Sequence, residues 1–250
     1  MTTLLFCTSY IDSPRAWEER YQRWLRYYQQ GRLQADVLVM IDDGASHVPE
    51  VPGLCLAGDD AALPARCDGL LLYRFAERLG RPRVDHYPGW WRSFFKSLDL
   101  AEHFGADKIV HVESDAFLLT QRAFDCVNEA RTGWHVMWCA HYGFPETAIQ
   151  VICQDQFGAL RDFRQRYESE GASDLAERIL PFTDVHREFV GDRYSELIRI
   201  HRGIFRSRKF DRFKIFKSNR IFRYMPLDAD YVTQLEPWQD LAVSPATRPL

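Results

Sequence analysis

Lys108-Ile109-Val110-His111-Val112-Glu113-Ser114-Asp115 is the stretch on which the fold turns. Five residues of apolar or strand-favouring character run straight into two acids separated by one residue. A short apolar run of this length reads as a buried strand, and buried strands with no polar alternation belong to parallel sheets. Open α/β sheets bind ligands outside the carboxyl ends of their strands. Side chains alternate along a strand, so Glu113 and Asp115 are expected to point the same way. Two carboxylates aimed at one point suit a hard divalent cation, Mg or Mn.

Upstream of this strand lies the clearest helix in the chain. Trp91, Phe94, Phe95, Leu98, Ala101 and Phe104 form one apolar stripe. Arg92, Lys96 and Asp99 share another face, and Gly105 supplies a stop. Nearer the start, Leu4 to Cys7 reads as a buried strand that ends at Thr8-Ser9-Tyr10. Pro14 then opens a helix to about Gln30, with Trp17, Tyr21, Trp24 and Tyr28 at helical spacing. Ala35 to Ile41 is a second strand, stopping at Asp42-Asp43-Gly44. Val51 to Leu56 reads as a third. This β-α-β opening is that of a Rossmann-related sheet. Residues 57–90 carry several Pro and Gly and read as loop, with one strand or helix at Leu70 to Leu79.

Downstream, a helix is expected from Gln121, a strand at Trp134 to Ala140, another stretch at Glu146 to Cys153, and a polar helix from Gln156 to Glu170. The chain of 250 residues is long enough for one large core and reads as a single domain. The last residues, 236–250, read as a loose tail. Net charge is −3, but residues 199–223 hold ten Lys or Arg against one acid, Asp211. Such a segment points to an anionic partner, either an anionic substrate or an anionic membrane surface. No nucleic-acid motif accompanies it, so nucleic acid is not expected. None of the six cysteines form a CxxC pair, and they read as buried reduced thiols. With no signal-peptide pattern and no long apolar run, the expected location is cytoplasmic, with peripheral contact at the inner face of a membrane.

The order of helix, Gly-Ala-Asp-Lys, apolar strand and Glu-x-Asp resembles the DxD region of GT-A nucleotide-sugar glycosyltransferases. The likeness covers roughly residues 3 to 155, with Glu113 in place of the first Asp. It implies a GT-A-like α/β fold: a mixed, mostly parallel central sheet flanked by helices. It also implies a nucleotide-diphosphate sugar donor and a glycan or lipid-linked acceptor, with residues 1–119 as the nucleotide-binding half and 120–235 as the acceptor half. Thr8, Ser9 and Tyr10 would stand where the family holds the base. Asp42 or Asp43 would stand where it holds base or ribose. Glu113 and Asp115 would take Mn or Mg, with Asp115 the firmer ligand because Glu113 is longer. His186 and His201 are candidates for a further ligand, His186 the favoured one, while His111 reads as a satisfied strand residue.

Arg92 and Lys96 are candidates for phosphate contact, because their helix precedes the motif strand. An inverting transferase needs a base for the acceptor hydroxyl. Glu146 follows the strand after the motif, and Asp184 and Glu188 are the alternatives. Two other readings stay open. A sugar nucleotidyltransferase shares the sheet and metal, but its glycine-rich loop is missing from Thr8 to Pro14. A non-catalytic domain binding a glycan or partner needs no nucleotide at all.

Overall fold

A computed structural model describes residues 1–83, 86–172, 174–193 and 228–235. The basic segment 199–223, His201 and the expected tail 236–250 lie outside the described residues. The main sheet is mixed but mostly parallel. Its strands are β1 (Thr3–Ser9), β2 (Val37–Asp42), β3 (Cys55–Gly58), β4 (Leu70–Arg74), β5 (Lys108–Val112), β7 (Trp134–Cys139), β8 (Phe144–Cys153) and β9 (Asp184–His186). They lie in the order β3-β4-β2-β1-β5-β8-β7-β9. Only β8 runs against its neighbours in this sheet. A smaller sheet orders β10 (Gly191–Asp192), β11 (Tyr231–Val232) and β6 (Phe117–Leu118).

The two apolar faces of the sheet explain this layering. Along β1, Leu5 and Cys7 enter one core, and Leu4 and Phe6 enter the other. The first face is covered by α1, a continuous helix of Pro14–Ala16, a π-helical turn Trp17–Tyr21, and Gln22–Tyr28. Ser13 caps it, accepting from the Ala16 amide at 3.2 Å, and Pro14 occupies the first turn. The second face is covered by α2 (Pro88–His103) and α4 (Phe157–Glu170), where Trp91 and Phe95 meet Phe163 and Tyr167. Between them in sequence, α3 (Gln121–Glu129) packs beside β6.

The sequence reading places β1, β2 and β5 within two residues of their observed ends and α2 within three. Within the loop-rich residues 57–90, the element expected at Leu70 to Leu79 is the strand β4, which inserts between β2 and β3. Val51 to Leu56 is a strand only from Cys55 onward. Cys55 and Cys67 form a disulfide, with Cα atoms 6.1 Å apart, which corrects the expectation of reduced thiols throughout. Spacing of 12 residues gives no sign of this, because the return of the chain toward β4 brings the two together. Cys7, Cys126, Cys139 and Cys153 stay free. Thiol titration of the denatured, unreduced protein should count these four, rising to six after reduction. A count of six without reductant would disprove the bridge. No helix among the described residues is long and apolar enough to cross a membrane.

Candidate functional site

Topology alone locates a crevice. The chain leaves β1 for β2, β3 and β4 on one side, then returns to β5 on the other. The strand order therefore reverses between β1 and β5, and ligands of open α/β sheets bind at the carboxyl ends beside such a reversal. Thr8 and Ser9 end β1, and Glu113 follows β5. Because β8 is antiparallel, its beginning lies at this same end. The Glu113 amide donates to the Ala148 carbonyl at 2.9 Å, and Glu146 sits just beyond.

Glu113 is the centre of a buried hydrogen-bond network. Thr8 Oγ1 donates to its carboxylate at 2.7 and 2.9 Å, and Trp90 Nε1 donates at 2.5 Å. His111 Nε2 lies 3.1 Å from the same Oε1. The direction of that bond is fixed from behind. The Trp134 indole donates to Gln150 Oε1 at 3.0 Å, so the Gln150 amide nitrogen faces His111 Nδ1 at 3.4 Å. Nδ1 then accepts and Nε2–H donates to Glu113. Burial alone would raise this carboxyl, but His111 and the bonds from His111, Thr8 and Trp90 outweigh it and hold Glu113 below the ordinary glutamate value.

Asp115 does not point the same way as Glu113. β5 ends at Val112, so strand alternation does not carry through to residue 115. Glu113 is held by Trp90 of α2, on one face of the sheet. Asp115 is held by Arg20 of α1, on the other: Nη2 donates to Oδ2 at 2.9 Å. Arg20 Nε also donates to Ser114 Oγ at 2.6 Å. Burial pushes the Asp115 carboxyl up, Arg20 pulls it down, and the charge of Arg193 also reaches it. The Asp115 carbonyl accepts from the Leu235 amide at 2.9 Å, which ties the motif to the small sheet.

The acids after β2 are committed to the protein. Asp42 accepts from the amides of Ile11 and Ala45 at 2.8 and 2.6 Å and from Ser9 Oγ at 3.2 Å. It closes the loop after β1. Asp43 accepts from the Gly80 amide at 2.6 Å and from Arg92. Gly89 permits this approach, since a Cβ there would stand 2.2 Å from Asp43 Oδ2. Arg92 also donates to the Glu77 carbonyl and so braces a loop. Lys96 pairs with Asp99 at 3.2 Å, two turns along α2 and about 12 Å from its start. Tyr10 presents a half-buried ring, with the Arg78 guanidinium 3.6 Å from its centroid.

Glu146 is buried and bound by Arg193, Nε at 2.7 Å and Nη2 at 3.2 Å, with Thr233 Oγ1 at 3.2 Å. Arg193 also meets Glu177 at 3.1 Å. Asp184 and His186 lie elsewhere, on the edge strand β9, three strands from β5. That is about 14 Å at ordinary strand spacing. Both His186 ring nitrogens are engaged, one with His135 at 3.0 Å and the other with Glu188 at 2.9 Å. A surface depression lined by Ala101, Gly105, Gln154 and Arg161 is at the opposite end of the sheet.

The arrangement does not suit a divalent cation built from the expected ligands. Oε1 of Glu113 already receives three donors, Asp115 is paired with a guanidinium, and His186 is remote. No group of three or more His, Cys, Asp or Glu able to hold a metal occurs among the described residues. The site residues that the sequence reading missed are Arg20, Trp90 and Arg193. Arg20 had a faint signal: it lies three residues after Trp17 and four before Trp24, on the border of the buried stripe.

No family model matches the chain, and no curated protein matches it. Among solved structures, it is similar to a glycosyltransferase involved in the glycosylation of the major capsid of PBCV-1. That likeness covers 93% of each chain, with 8% identity and a TM-score of 0.44.

Proposed function

We propose that the chain is a glycosyltransferase that takes a sugar from a nucleotide-diphosphate donor and passes it to a glycan or lipid-linked acceptor. The observation that carries this reading is the meeting of the Glu113 network and the Arg20–Asp115 pair at the β1/β5 strand reversal. The base would lie toward the ring of Tyr10, and the diphosphate toward Ser114 and Asp115. The acceptor would enter from the side of β8 and Arg193. Surface-polysaccharide assembly in a bacterium is a natural setting for such chemistry. Glu146 serves here as the buried partner of Arg193 and not as a free base.

Asp115→Asn tests the proposal. Its side chain is partly exposed, and an amide oxygen can still accept from Arg20, so the variant should fold with a melting temperature within a few degrees of the parent. Donor turnover, followed as nucleoside-diphosphate release, should fall about tenfold or more, because Arg20 loses the charged acceptor that orients its fork. Full activity in this variant sinks the assignment.

A second reading has one observation in its favour. Asp42, Asp43, Glu113 and Glu146 are all occupied by the protein's own donors, as in a domain that binds without catalysing. A melting temperature indifferent to every nucleoside diphosphate, with and without Mn, would select it.

A further inference from the structure

We infer that Arg20, and not a divalent cation, is the positive group that receives the donor's diphosphate. The inference rests on the nucleotide-donor reading above and adds the identity of the charge that makes it work.

The first argument is geometric. A guanidinium has five N–H donors in a rigid fork. Arg20 spends Nε on Ser114 and one Nη2 hydrogen on Asp115. Nη1 has no hydrogen-bond partner among the described residues, so three donors remain. The Arg20 side chain is 41% exposed, against 22% for Asp115 and 13% for Glu113. The most accessible charge at the crevice is therefore the cation. Ser114 and Asp115 orient the fork and leave its outer edge open. Arginine meets phosphate oxygens through paired N–H bonds of this kind.

The second argument is local structure. Arg20 sits in the π-helical turn Trp17–Tyr21, where the Gln22 amide bonds the Trp17 carbonyl. A single π turn inside an α-helix is rare and is frequently found at functional sites. Here it contains Arg20, between the buried Trp17 and Tyr21, and Arg20 reaches a motif 94 residues away. An uninterrupted α-helix would shift the residues before the turn by about 100° relative to those after it.

The third argument is competition. A metal at Asp115 must first break the Arg20 pair. It would gain one carboxylate, because Glu113 is saturated at Oε1 and faces α2. Asp115 engages only one Nη2 hydrogen of the fork, and the rest of its outer edge stays open to an anion.

The test is a binding measurement on the whole chain, with UDP, GDP and inorganic pyrophosphate as probes. Each is titrated by calorimetry with a chelator present and again with Mn. The expected result is a nucleoside-diphosphate Kd that changes less than about twofold between the two conditions. Arg20→Gln should weaken it roughly 10- to 100-fold, as for loss of a charge-assisted pair. Arg20→Lys keeps the charge but not the fork, so it should recover part of the loss and serves if Arg20→Gln fails to fold. Binding that requires Mn and ignores Arg20→Gln overturns the inference while leaving the transferase reading intact. Arg20-dependent binding of pyrophosphate without any nucleoside diphosphate would keep the inference and sink that reading. No binding of any probe, with or without Mn, overturns both.

Discussion

Glu113→Ala will lower the melting temperature by about 6–12 °C. The variant leaves the Trp90 indole, the His111 imidazole and the Thr8 hydroxyl without their shared acceptor in a buried pocket. Each orphaned donor costs about 1–3 kcal/mol, and relaxation or entering water recovers part of that, so roughly 3 kcal/mol is expected. For a chain of this size, 1 kcal/mol moves the midpoint by about 2–4 °C. Glu113→Gln keeps the shape and one acceptor oxygen, and should cost about 1 kcal/mol. The pH dependence gives an independent check. The folded value of Glu113 lies below its unfolded value, so its ionised form stabilises the fold above about pH 4.5. That advantage over Glu113→Gln should fade as pH falls through the lowered folded value. Calorimetric melting of the three proteins from pH 7 to pH 3 measures both effects. An unchanged midpoint in Glu113→Ala would mean that the carboxylate is a free ligand and not a structural anchor.

The difference between what Glu113 looks like in sequence and what it does is instructive. The strand was legible because Ile109, Val110 and Val112 are β-branched and apolar and the run is bounded, and buried β5 obeys that pattern to the residue. The helix stripe of α2 was legible for the same reason. What no local pattern carries is the partner of each polar group. Asp42 and Asp43 follow a strand as ligand-binding acids do, yet loop amides 31 to 37 residues away by number consume them. Glu113 and Asp115 are two residues apart, but the strand stops between Val112 and Glu113 and alternation ends there. Asp184 and His186 resemble late-chain ligands in sequence, while pairing with β7 sends them to the sheet edge. Arg20 is the opposite case. Its neighbours announce a plain amphipathic helix, and its role comes from the bonds to Ser114 and Asp115, which no local pattern carries.

These commitments divide the crevice into an α2 side and an α1 side. On the first, Trp134, Gln150 and His111 form a directional chain that ends on the Glu113 carboxylate, to which Thr8 and Trp90 also donate. It locks the ends of β1 and β5 together at the strand reversal. On the second, charge is still partly open to solvent, through Arg20 and Asp115. A rigid wall opposite an accessible ion pair is the arrangement that preorganised binding of a charged ligand requires.

The second large effect is expected at the far wall. Arg193→Met should destabilise the fold by about 3–5 kcal/mol, because it leaves the Glu146 carboxylate buried with no countercharge. Glu146→Gln should cost less, about 1–2 kcal/mol, since Arg193 keeps Glu177 and the amide can still accept from Thr233. The asymmetry is the signature of a pair in which the acid depends on the base more than the reverse. The double variant should be more stable than Arg193→Met alone, because it removes the stranded charge. A sign check on pH sharpens this. Burial already raises the folded value of Glu146 against the pull of Arg193. Without Arg193 it rises further, so the penalty is present above that raised value and is relieved as pH falls through it toward the unfolded value. Arg193→Met should therefore gain stability relative to the parent on acidification, while Glu146→Gln should not. Denaturant melts of the four proteins at pH 7.5 and pH 5 decide the matter. Equal costs for the two single variants, with no pH dependence, would show that the pair is solvated and not buried. Because Arg193 is consumed by Glu146 and Glu177, the same variant should leave nucleoside-diphosphate binding at pH 7.5 unchanged while it remains folded. Loss of stability with unchanged binding would confine Arg193 to the wall and leave the anion to Arg20 alone.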